Sequence, residues 1–100
     1  MEQIDLEFMP KSPINKLLDK HRQLTHSENM KVISHVQREE NDWWFNTLMI
    51  QNYDVAFKYK RKKPYKSLQG GLVNITYYPS TEEIAGIEFE FMKVVRLKMS

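Results

Sequence analysis

The sequence predicts an α+β domain, mainly antiparallel β: a small, partly open barrel or strongly curved sheet of SH3-like or OB-like geometry, with one short N-terminal helix. Three observations carry that expectation. Apolar and polar residues alternate in at least four segments, the period of a half-buried strand. A single segment has helical spacing instead. The connections between strand-like segments are mostly short and hairpin-like, and the last segment is long enough to need a bend, as in a small closed or curved sheet.

The elements follow in order. Residues 3–9 alternate Ile4, Leu6 and Phe8 against Asp5 and Glu7, a strand ended by Pro10. Ser12-Pro13 has the form of a helix N-cap and first turn, and Ile14, Leu17, Leu18, His21 and Leu24 make one narrow apolar stripe, predicting a helix over 13–25 broken by "HSEN". In residues 30–38 the spacing of Met30, Ile33 and Val36 would also suit a helix, but Val32, Ile33 and Val36 are β-branched, so a strand is assigned, with "REEND" turning into the next run. Strand 43–51 is apolar on both faces: Trp43, Phe45 and Met49 on one, Trp44, Leu48 and Ile50 on the other. Such a strand is usually covered on both sides, so the sheet interior is expected over one face and the helix over the other. "NYD" is a turn. Strand 55–60 sets Val55, Phe57 and Tyr59 against Ala56, Lys58 and Lys60. A long connection with Pro64 and Gly70-Gly71 leads to strand 72–78, with Val73, Ile75 and Tyr77 on one face, and "PSTEE" is read as a loop. The final segment, 87–99, is interrupted at Lys93, which predicts a bulge near Met92-Lys93.

A chain of this length is expected to form one domain, and its 41% apolar residues and twelve aromatics are enough to fill a core. The absence of cysteine excludes disulfides, thiolate metal ligands and a thiol nucleophile. No apolar run approaches the roughly 20 residues of a membrane span, and the acidic, alternating N-terminus lacks the form of a signal peptide. A cytoplasmic protein with no membrane partner is the expectation.

Net charge is +2, but it is unevenly spread. Six of the fifteen basic residues fall at Lys58, Lys60, Arg61, Lys62, Lys63 and Lys66, leaving the rest of the chain at a balance of −4. One concentrated positive pole focuses potential whatever the net charge. Interleaved lysines and tyrosines suit phosphates and base faces respectively. The candidate anion or nucleic-acid site is therefore Lys58, Lys60, Arg61, Lys62, Lys63, Tyr65, Lys66 and Tyr78, with Tyr53, Tyr65 and Tyr78 taken as exposed aromatics. Five of its six cations are Lys, which lacks the bidentate fork of Arg, so binding should be sequence-tolerant. Two other readings of the same stretch are a solvated edge that blocks aggregation and, for Lys60-Arg61-Lys62-Lys63 in a eukaryotic chain, an import signal.

Other chemistry finds little support. His21, His26 and His35 do not converge at metal-ligand spacing. The serines lack a nucleophile-elbow context, and Gly70-Gly71 leads into a strand rather than cradling phosphate. Trp43-Trp44 is read as core on both sides, with a stacking platform as the competing reading. The expectation is a non-catalytic binding module without metal or cofactor, its partner nucleic acid, single-stranded or structured. The alternative is a protein-interaction module or accessory subunit that meets an acidic protein.

Overall fold

The computed structural model of the protein describes residues 3–4 and 24–100. Those residues are all-β: β1 (Gln3–Ile4), β2 (Thr25–Glu40), β3 (Trp43–Ile50), β4 (Phe57–Arg61), β5 (Leu72–Ile84) and β6 (Ile87–Met99). The predicted helix, and the predicted strand beyond Ile4, lie outside the described residues up to position 23. At the expected C-terminal end of that helix, Thr25 already begins β2.

The sheet closes on itself. Its order is β6-β4-β3-β2-β5 with β5 paired again to β6, and β1 adds to the β6 edge. All pairings are antiparallel except β4–β6, which is parallel over Phe57↔Met92 and Lys58↔Lys93. The result is a mixed five-strand ring, mainly antiparallel as expected, closed by one parallel pairing among the described residues.

Closing five strands in a short chain requires strands that serve two edges. The first half of β2 pairs with β5 and the second half with β3. Bulges sit at the change-over, between Ser27 and Met30 against β5 and between Val32 and Ser34 against β3. An extra residue bends a strand and sharpens its twist, which lets β2 turn the corner. "HSEN" therefore does not end an element; Asn29 takes φ 55° and its N–H donates to Asn74 Oδ1 at 2.9 Å. In β6 the register shift leaves Val95 as the extra residue opposite Thr76/Tyr77. The bulge predicted at Met92-Lys93 is displaced to that position, and Met92-Lys93 is instead where β6 meets β4.

Two-residue turns join β2 to β3 and β5 to β6. Asn41 and Asp42 have φ 53° and 66°, and Ala85 and Gly86 have φ 52° and 82°. Left-handed backbone at both central residues matches the twist of the flanking strands. Ala85 pays a steric cost there that its glycine neighbour does not. "PSTEE" is strand, not loop: β5 and β6 stay paired from Pro79↔Met92 out to Ile84↔Ile87 as a two-stranded arm.

The core fills the ring. Val32, Leu48, Ile50, Phe57, Val73, Ile75, Val94 and Leu97 are essentially inaccessible. Phe57 lies at its centre, edge-on to Tyr53 at 5.4 Å and to Tyr77 at 4.9 Å between ring centroids. Tyr53 is half-buried rather than exposed, because its ring closes this cluster. Its phenol is held above the usual tyrosine range, first by its hydrogen bond with Tyr77 and then by burial.

Candidate functional site

Strand alternation divides the basic stretch in two. In β4, Phe57, Tyr59 and Arg61 point inward and Lys58 and Lys60 outward, and the outward series continues to Lys62. Cross-strand register then builds the outer surface in rows. Arg38 on β2 stands opposite Phe45 on β3, which stands opposite Lys60 on β4. Val36, Thr47 and Lys58 form the row beside it. Phe45 is 38% exposed. Trp43, at the tip of the same face, has the Lys60 ammonium 4.5 Å and the Lys62 ammonium 4.1 Å from its ring centre. Two ammonium groups drawn to one indole concentrate like charge, and an anion arriving between them relieves the repulsion. This face thus shows a partly exposed aromatic, Phe45, flanked by cations.

Arg61 belongs to the other side of the sheet. It is 4% exposed, and its guanidinium carbon lies 3.2 Å from the centre of the Tyr65 ring. β4 alternation turns it into the interior, away from Lys58 and Lys60. Tyr65 remains partly exposed, but its role is to fold the 62–71 connection back over the end of the ring. Gln37 brackets its backbone, donating from Nε2 to the Tyr65 carbonyl at 2.7 Å and accepting from its N–H at 3.3 Å. Lys63 and Lys66 are exposed on that connection. Tyr78 is buried, at 4% exposure, where an exposed ring was expected. Alternation presumes one open face, and at the base of the arm both Tyr77 and Tyr78 are covered. Of the predicted set, Lys58, Lys60 and Lys62 share one surface, Lys63, Tyr65 and Lys66 sit on the connection, and Arg61 and Tyr78 drop out. Phe45 and Arg38 were missed as members of the surface, and a register between 38, 45 and 60 was the signal that would have found them; Trp43, read as core with a stacking platform as the competing reading, is half-buried on this surface.

Under the connection lies a polar layer. Leu68 N–H donates to His35 Nδ1 at 2.9 Å, which makes Nε2 the protonated nitrogen, and Nε2–H donates to Asn46 Oδ1 at 2.8 Å. Asn46 Nδ2 in turn donates to the Trp44 carbonyl at 3.0 Å. His35 is thus a half-buried structural group, and Trp44 faces Arg61 across the β3–β4 pair.

Tyr59 completes this layer and carries a pH prediction. Burial pushes its phenol well above the usual value, with Arg61 opposing to a lesser degree. An unfolded tyrosine ionises near about pH 10. The folded state keeps a proton that the unfolded state loses, so stability is intact below that pH and falls as pH rises above it, by about 1.4 kcal/mol per unit. Tyr59→Phe should flatten the decline, as read from urea midpoints at about pH 8 and about pH 11.

The arm forms a wall beside the outer face. Directly opposed residues share a side, so Ser80, Glu82 and Ile84 lie with Phe91, Phe89 and Ile87. That side meets β4: Glu82 pairs with the Lys58 ammonium, which stands 5.4 Å from the Phe91 ring centre. Further out, Ile84 is 54%, Ile87 59% and Phe89 46% exposed. One concavity, about 560 Å³, lies at the base of the arm, lined by Val55 and by residues of both sides of the arm, Ser80 and Phe91 included; another, about 310 Å³, holds His26, Glu28, Asn74, Thr76, Arg96 and Lys98. Among the described residues no three potential metal ligands converge, and no helix is long and apolar enough to cross a membrane.

Compared with known proteins, the chain matches no family model, no curated protein and no solved structure.

Proposed function

We propose that this chain is a non-catalytic, OB-like module that holds single-stranded nucleic acid on the outer face of β3 and β4. Counted from β2, the cyclic strand order is first, second, third, fifth, fourth, with the third and fifth parallel. This order supports the OB-like reading over the SH3-like one. In such folds the second and third strands, with the loops after the first and fourth, take oligonucleotides or oligosaccharides. Here those parts are β3 and β4, the Asn41-Asp42 turn and the arm.

The observation that carries the reading is the convergence of Lys60 and Lys62 on Trp43, with exposed Phe45 set between Arg38 and Lys60 in the next row. Cations beside open aromatic faces suit a strand whose bases are free to stack. A duplex hides those faces. Lysine point charges favour phosphate over base edges, so little base preference is expected.

The test is fluorescence anisotropy with a labelled oligodeoxythymidine of about 12 nucleotides. Three or four phosphate contacts give a slope of log K against log salt of about −2 to −3, at about 0.7 per contact. Duplex of the same length should bind less tightly. Absence of binding at about 50 mM salt, where such contacts are strong, would remove the reading. The alternative would then lead: the exposed Ile84, Ile87 and Phe89 of the arm favour a protein-interaction module.

A further inference from the structure

The pair between Lys58 and Glu82 stands where the arm meets the binding face. We propose that Glu82 is a built-in competitor for the phosphate position at Lys58, so that attachment of the arm to β4 and occupancy of Lys58 by a nucleic-acid phosphate exclude one another. The inference rests on the nucleic-acid reading above.

Lys58 projects from the same outer face as Lys60, two residues along the strand and so about 7 Å away. A chain anchored at Lys60 and Lys62 passes beside it. Its ammonium is nevertheless already neutralised by the Glu82 carboxylate and set against Phe91, both on the arm. The counterions whose release drives this class of binding are condensed on the nucleic acid, and an ammonium whose charge is already spent on a carboxylate neutralises no phosphate and releases none of them. A phosphate reaching Lys58 must therefore displace Glu82 or sit against its negative charge.

Both side chains are partly exposed, and such pairs are weak. Displacement is then within reach of a strand already held by the neighbouring lysines, whose next phosphate arrives at high effective concentration. By reciprocity, whatever binding at Lys58 costs through loss of the arm contact, the arm contact withholds from binding. Glu82 thereby limits affinity and selects for a chain of consecutive phosphates.

The experiment is a double-mutant cycle on the full chain, using wild type, Glu82→Gln, Lys58→Gln and the double variant, with the same oligodeoxythymidine probe. Far-UV circular dichroism confirms that each folds. Glu82→Gln should tighten binding about two- to five-fold and steepen the salt slope by about 0.7, one added phosphate contact. In the Lys58→Gln background that gain should vanish. Unchanged or weakened binding by Glu82→Gln, while wild type binds, overturns the competitor role. A gain that persists without Lys58 also overturns it, since Glu82 would then act only as a diffuse negative charge. Failure of all four proteins to bind overturns the nucleic-acid reading beneath it.

Discussion

Phe57→Ala is expected to lower the free energy of unfolding by about 3–5 kcal/mol. Phe57 is fully buried on the strand that makes both the β3–β4 and the β4–β6 pairings. Its ring meets Tyr53 and Tyr77 edge-on, so truncation loses the transfer free energy of the ring, leaves a cavity and removes two aromatic contacts. Closure of the sheet between β4 and β6 spans two residue pairs, Phe57↔Met92 and Lys58↔Lys93, which leaves little to compensate. Domains of this size hold about 5–15 kcal/mol in all, so the variant should be marginal. Urea unfolding followed by circular dichroism measures the loss. A cost below about 1 kcal/mol, the range of an ordinary surface change, would mean that Phe57 does not occupy the centre of the ring.

The second large effect concerns binding. Lys60→Glu combined with Lys62→Glu removes the two ammonium groups held over Trp43 and sets two carboxylates in their place. Two lost phosphate contacts should make the salt slope shallower by about 1.4. Repulsion adds to the loss, so affinity for the single strand at about 50 mM salt should fall at least about 100-fold. Both side chains leave the outer face of β4 and its extension, away from Tyr59 and Phe57, so the core is untouched. The only stability cost expected is that of two exposed cation–π contacts, about 0.5–1 kcal/mol each. Anisotropy and thermal melting together make the check. Binding within about three-fold of wild type in a folded variant would place the phosphate path elsewhere, because a single lost contact already exceeds that.

The local rules held where one neighbour decides a side chain's place. Val73, Ile75 and Tyr77 alternate inward as their spacing demands, as do Phe57 and Tyr59, while Lys58 and Lys60 alternate outward. Asn41-Asp42 and Ala85-Gly86 turn where polar or small residues permit positive φ. The rules failed where a strand serves two partners. Period-two reading cannot tell that Thr25–Ser27 pairs with Tyr77–Ile75 while Val36 pairs with Thr47, nor that a bulge between those regions bends one continuous strand. "PSTEE" looked like a loop because it carries Pro, Ser and charge, yet in a partly exposed arm these residues are tolerated in a strand.

The candidate site divides in the same way. Sequence alone determined that positive charge concentrates at 58–66 and that Lys58 and Lys60 share a face, because both depend only on composition and on the two-residue period of a strand. Tertiary structure decided the rest. Arg61 lies within the same basic run, yet it stacks on Tyr65 under the connection. Phe45 and Arg38 lie far from that run in sequence, yet closure of the sheet sets them beside Lys60. Glu82, twenty-four residues beyond Lys58, reaches it because β5 and β6 extend past the ring as an arm. The physical reason is that cross-strand register and sheet closure are set by the summed burial of the whole core. No short window of residues contains that sum.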